Sequence, residues 1–194
     1  MGRDVTVGML SGYRVLGFDL ETTGFNPRSD RVVQYALVGS DADGSHINLQ
    51  SLVKPGVSIP EVSIRVHGIT NDDVRGSGEF GDHIAEMASL MEGSIVVGHN
   101  IIDFDWRFVE MECMRIGVEV PCPHAIIDTL VIARRFMIPG SHVLLGIMAR
   151  VTPWRLIPDD WIPIDALRTV RRMEDTPNLE KESSMVRRLL RLKR

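Results

Sequence analysis

The sequence predicts a mixed α/β domain built on a five-stranded sheet flanked by helices. Three observations lead there. The first third of the chain carries three short apolar runs separated by turn residues. The middle then alternates helical periodicity with further short apolar runs. At 194 residues, 44% hydrophobic and 25% charged, the chain is long enough to bury one substantial core.

Tyr13 to Asp19 is a short apolar run and forms the first expected strand. Arg31 to Gly39 is the second, with β-branched residues and Tyr35. Asp41-Ala42-Asp43-Gly44 is a turn signal, so His46 to Val53 is expected to return as a third, antiparallel strand, closed by Lys54-Pro55-Gly56. The character then changes. Thr70-Asn71-Asp72-Asp73 has the S/T-x-x-D/E pattern of a helix start. From His83 to Met91, residues Ile84, Met87, Ala88 and Met91 share one helical face. Ile95 to Gly98 is a short buried strand. Asp105 to Ile116 is the clearest helix, with Phe108, Val109 and Cys113 as core candidates and Gly117 as its stop. Ala125-Ile126-Ile127 is the fifth strand. Thr129 to Phe136 continues as helix towards Pro139-Gly140, and His142 to Arg150 is a further short helix. Beyond Arg150, Trp154 and Trp161 sit among prolines, and two short helices are expected over residues 165–174 and 179–192. The expected organisation is one domain over residues 1–150 and an atypical basic tail over 151–194.

The formal net charge is −4, unevenly distributed. Residues 151–194 hold 10 Lys and Arg against 7 Asp and Glu, leaving 12 basic and 19 acidic residues in 1–150. An acidic body does not exclude a phosphate-handling protein, because divalent metal at a carboxylate cluster inverts the local charge. No apolar run approaches 18 residues, so no transmembrane helix is expected, and the N-terminus lacks the apolar stretch of a secretory signal. Cys113 and Cys122 form no disulfide framework, and Cys122-Pro123-His124 lacks the four spaced ligands of a zinc site. A cytoplasmic location follows as the expectation.

The chemistry is expected where Asp19 and Glu21 stand two apart on an apolar strand, which sends both carboxylates to one face. Paired acids at the end of a buried strand cost free energy unless a cation satisfies them. Thr22-Thr23-Gly24 follows, with hydroxyls, backbone N–H groups and a turn. A second constellation is Gly98-His99-Asn100 leading to Phe104-Asp105, where Asp105 opens a helix and either caps it or faces a neighbouring strand end. A third is His67-Gly68-Ile69-Thr70, weak in isolation.

In this order, Phe-Asp-x-Glu-Thr-Thr-Gly, His-Gly-Ile-Thr, Gly-His-Asn-x-x-x-Phe-Asp and Asp-Thr-Leu resemble the DnaQ-like (DEDDh) 3′–5′ exonucleases over about residues 13–150. The resemblance implies a ribonuclease-H-like fold and two-metal hydrolysis of phosphodiester bonds with Mg²⁺ or Mn²⁺. It implies that Asp19, Glu21 and Asp105 are the catalytic metal ligands and that Leu20, Thr22, Thr23, His67, His99 and Asn100 line the substrate groove. Asp128 looks like the family's structural aspartate rather than a ligand. The substrate expected is a single-stranded 3′ end, with DNA favoured, and a DNA polymerase is a candidate partner.

One motif of that family does not match. Its general-base His and, five positions later, its fourth Asp are absent. Five positions after His124 stands Thr129, and after His142, Ile147. In Ile164-Asp165-Ala166-Leu167-Arg168-Thr169-Val170, Ile164 replaces the His and Thr169 the Asp. Three readings stay open. Activity is impaired or lost; or His142 substitutes as base and Asp159, Asp160 or Asp165 as ligand; or the tail is translated from an altered frame. The rival to an enzyme is an inactive module that binds nucleic acid or a polymerase partner, to which the basic tail could contribute phosphate contacts.

Overall fold

The computed structural model describes residues 12–136. The expected helices over 142–150, 165–174 and 179–192, the boundary near residue 150, and His142, Asp159, Asp160, Ile164, Asp165 and Thr169 lie outside the described residues. Within them, β1 (Val15–Thr22), β2 (Val32–Ser40) and β3 (His46–Leu52) form the expected antiparallel meander. β4 (Ile95–Gly98) and β5 (Ala125–Asp128) add on the other side of β1 as parallel strands, giving the spatial order β3-β2-β1-β4-β5. The Asp41–Ser45 turn closes the second hairpin, with Gly44 N–H donating to Asp41 O at 2.9 Å and Asp41 N–H to Ser45 O at 2.8 Å.

Four helices complete the described part: α1 (Glu61–His67), α2 (Phe80–Met91), α3 (Asp105–Ile116) and α4 (Thr129–Arg135). Alternation along β1 buries Leu16, Phe18, Leu20 and Thr22 and leaves Asp19 and Glu21 half-buried on the opposite face. The buried side packs with Tyr35 and Leu37 of β2, Ile84, Met87 and Met91 of α2, and Phe108, Val109 and Cys113 of α3. The α3 helix has the boundaries expected of it. It stops because Gly117 takes a φ of 69°, in the left-handed region that a side chain would disfavour.

One helix lies elsewhere than expected. Thr70-Asn71-Asp72-Asp73 closes on itself as a turn, with Thr70 N–H and Oγ1 both donating to Asp73 Oδ2 at 2.7 Å. Only turns follow, through Gly76, and α2 starts at Phe80. Gly76 and Gly78 make helix continuation costly there. The helix that precedes this turn, α1, is seven residues long with β-branched Val62, Ile64 and Val66, so its local propensity hides it.

Candidate active site

The site forms at the C-terminal end of β1, where the sheet loses a strand. β4 pairs with β1 only from Val15 to Gly17. Beyond Gly17 the β1 edge has no strand neighbour on that side among the described residues. The chain instead turns through His99 and Asn100, the latter at a left-handed φ of 62°, and enters α3. The Asp105 carboxylate then takes over: its Oδ1 accepts the Leu20 N–H at 3.0 Å. This contact brings Asp105, 85 residues away in sequence, to the backbone between Asp19 and Glu21.

Asp105 is 3% exposed. Burial pushes its carboxyl up from 3.8 to about 7; the Leu20 N–H pulls it back down, and the charges of Glu21 and Asp128 push it up further. An acid held this way is costly to ionise, and a nearby divalent cation would relieve that cost. The candidate donors expected from the sequence, Asp19, Glu21 and Asp105, offer carboxylate oxygens, a chemistry that suits a hard cation such as Mg²⁺ or Mn²⁺. Among the described residues, no three His, Cys, Asp or Glu side chains gather closely enough to cage an ion unaided. Mg²⁺ sites commonly use one or two carboxylates and complete the shell with water and substrate phosphate, so the donor set fits.

The remaining sequence candidates distribute around this point. Thr22 and Thr23 are buried, and both hydroxyls are engaged by the chain itself. Thr22 Oγ1 donates to Gly24 O at 2.6 Å, and Thr23 Oγ1 accepts from Arg31 N–H at 3.0 Å. His67 is 2% exposed at the end of α1, where its Nδ1 accepts from Ile69 N–H at 3.0 Å, placing the proton of the neutral ring on Nε2. Ser63, one turn earlier on the same face, donates to Thr23 O at 2.7 Å and ties α1 to the end of β1. His99 Nδ1 lies 3.0 Å from Thr129 Oγ1. That hydroxyl already donates to Gly98 O at 3.1 Å, so His99 Nδ1 is the donor in this contact.

Asp128 behaves as a structural aspartate should. It is 4% exposed and accepts from four backbone N–H groups, those of Asn100 (3.0 Å), Ile102 (3.2 Å), Leu130 (2.8 Å) and Val131 (3.3 Å). It thereby caps α4 and holds the turn that carries His99 and Asn100.

Two features escape the sequence motifs. Phe25, just past Thr22-Thr23-Gly24, is 82% exposed and tilts against Phe104 (centroids 6.1 Å apart), the residue next to Asp105. Glu112, 1% exposed, lies seven residues after Asp105 on the same buried stripe of α3 and pairs with Arg31. An acid in a core position of an i, i+3, i+4, i+7 stripe was the signal available for it.

A family model described as Exonuclease matches residues 16–139. The chain belongs to the DnaQ-like exonuclease family. Among relatives of this family, the chain is 32% identical over 130 residues to the DNA polymerase III PolC-type protein of Pediococcus pentosaceus, covering 67% of this chain and 9% of that protein. It is 28% identical over 123 residues to the DNA polymerase III subunit epsilon of Treponema pallidum, covering 63% of this chain and 56% of that one. The chain thus spans only part of these DnaQ-like relatives. Among solved structures, zinc-bound E. coli exonuclease I in complex with single-stranded DNA superimposes with a TM-score of 0.64 at 18% identity, over 86% of this chain and 42% of that one. This likeness establishes the ribonuclease-H-like fold.

Proposed function

We propose that this chain is a 3′–5′ exonuclease that hydrolyses phosphodiester bonds at single-stranded 3′ ends, DNA favoured over RNA. The observation that carries the reading is the Asp105–Leu20 contact, because it sets a buried acid against the strand bearing Asp19 and Glu21. These three residues are the proposed ligands of two ions, Mg²⁺ or Mn²⁺. When bound, the ions supply charge stabilisation for the attacking and departing oxygens. The chain's own part is positioning. Asp128 fixes the His99-Asn100 turn beside the strand end, where His99 and the Asn100 side-chain amide are proposed to contact substrate. His67 and the Leu20–Thr23 backbone line the groove in this proposal. Phe25 offers an exposed ring for a base to stack on, an interaction indifferent to sequence.

The domain is assigned to residues 1–150 and the basic segment 151–194 to phosphate contacts. A polymerase partner is proposed because the relatives include DNA polymerase III proteins, and a cytoplasmic location goes with that role. Without the family's general-base His, turnover is expected to be lower by about 10²–10⁴-fold. His142 and Asp165 are the residues to substitute when testing for a replacement base and ligand.

The missing motif equally favours a second reading, an inactive module that binds nucleic acid or a polymerase. One assay separates the two. A labelled single strand is incubated with the chain and Mn²⁺ beside an Asp19→Ala control. Shortening from the 3′ end that the substitution abolishes supports the enzyme. Retained binding without shortening rejects it in favour of the module.

A further inference from the structure

The DxE strand and the helix carrying Asp105 are joined a second time, through a pair that no motif marks. Glu112 of α3 accepts from Arg31 Nε at 2.8 Å and from Arg31 Nη2 at 2.9 Å, a two-pronged charge-assisted contact. Its Oε1 also accepts from Val32 N–H at 3.3 Å and lies 3.1 Å from Arg115 Nη1. Arg31 in turn is locked to the end of β1: its N–H donates to Thr23 Oγ1 at 3.0 Å, and its carbonyl accepts from Thr23 N–H at 2.9 Å. Arg115 Nη2 adds a contact to Pro27 O at 2.6 Å, so α3 grips the loop between β1 and β2 through both Glu112 and Arg115.

Asp105 and Glu112 are separated by two helical turns, about 10 Å along the α3 axis, on one buried stripe. One end of α3 therefore holds Leu20 and the other holds Arg31 and, through it, Thr23. Asp19 and Glu21 flank the first anchor, and Thr23 lies two residues beyond Glu21. Pairing with β2 through Thr22 and the Ser63–Thr23 hydrogen bond already hold the strand end in the sheet, so what a single α3 anchor leaves open is the tilt of α3, and with it the distance of Asp105 from the strand. With two, the spacing between Asp105 and the Asp19-Glu21 pair is set before any ion arrives.

We propose that Glu112, acting through Arg31, is a positioning residue that presets the separation of the Asp19-Glu21 pair from Asp105 and so sets affinity for divalent metal. The proposal rests on those three residues being the metal ligands. The Arg31–Glu112 pair acts through Thr23 and the β1–β2 loop, not as a ligand itself. Its effect is preorganisation of the sort that outer partners give ligating carboxylates, worth about 10–100-fold in metal affinity.

The test uses the full chain as Glu112→Gln, Arg31→Gln and the double variant, with wild type and Asp19→Ala as references. Glu112→Gln keeps the shape of the side chain while removing its charge. Two quantities are read. The first needs no metal: amide hydrogen exchange of Leu20 in EDTA, against Leu37 of the central sheet as a measure of global opening. The second is the Mn²⁺ concentration at the midpoint of the metal-induced rise in melting temperature.

The expected result is a loss of Leu20 protection at least tenfold greater than that of Leu37, with the Mn²⁺ midpoint raised about 10–100-fold. The double variant should match the stronger single one, because both changes remove the same contact. Equal losses at Leu20 and Leu37 with an unmoved Mn²⁺ midpoint would reduce the pair to a structural ion pair and overturn the proposal. If Glu112→Gln fails to fold, Arg31→Gln decides the matter, since that side chain is 27% exposed and its removal leaves Glu112 paired with Arg115. A wild type that ignores Mn²⁺ as Asp19→Ala does would instead refute the metal-site reading, and the Leu20 exchange would still report on the clamp.

Discussion

Replacing Asp105 with asparagine removes a buried negative charge and keeps an oxygen for the Leu20 N–H. In the wild type the folded carboxyl titrates at about 7, against 3.8 for the ordinary group, chiefly because burial penalises the charged form. The sign follows from proton counting. Between those values the folded protein binds a proton that the unfolded chain has released, so stability falls as pH rises from about 4 through 7. The rise from 3.8 to about 7 corresponds to about 4 kcal/mol lost by pH 8.5 in EDTA. For a chain of this length that is roughly 8–16 °C in melting temperature. Thermal melts of wild type and Asp105→Asn in EDTA at pH 5 and pH 8.5 measure it. The variant should be the more stable protein at pH 8.5, by up to that amount, and the gap should shrink at pH 5. Saturating Mn²⁺ should reverse the order, because only the wild type gains from it. A variant less stable than wild type in EDTA at pH 8.5, or a gap independent of pH, would refute the account of Asp105 as a buried acid that is costly to ionise.

Phe25→Ala should leave the melting temperature unchanged, since the ring is largely in solvent. It should raise KM for a single strand roughly 5- to 150-fold, the equivalent of about 1–3 kcal/mol of base stacking; an unchanged KM would remove Phe25 from the substrate groove. Asp128→Ala deprives four backbone N–H groups of their acceptor and should cost about 3 kcal/mol or more by urea denaturation, whereas Asp128→Asn should cost less. Burial pushes the Cys113 thiol up to about 11, while Cys122 is exposed. A thiol reagent should therefore titrate one equivalent in the native protein and two after unfolding. Gly39→Ala would drive its new methyl into the Val15 carbonyl across the β1–β2 pair, an overlap expected to cost about 1–3 kcal/mol in the same denaturation assay.

Local patterns made much of this molecule legible. Period 2 put Asp19 and Glu21 on one face of β1, and period 3.6 with Gly117 bounded α3 to the residue. The turn at Asp41–Gly44 and the strand at Ile95–Gly98 followed from the same short-range chemistry. These features depend on neighbours within a few residues, so the sequence by itself determines them. The motif order likewise carried the family. Helix α1 was hidden because its β-branched residues favour strand, and the Thr70–Asp73 turn took a helix start's pattern without a helix, since glycines follow it.

Only the tertiary structure decided where the acids go. Whether Asp105 capped its own helix or faced β1 stayed open until the sheet showed β4 ending beside Gly17 and the Leu20 N–H awaiting an acceptor. Glu112 reaches Arg31 across 81 residues of chain, and Asp128 reaches Asn100 across 28. Partners so distant are chosen by which buried polar groups the packed layers bring within about 3 Å, and by the cost of leaving them unpaired. No window of sequence contains that information, because it arises only when α3 closes over the sheet.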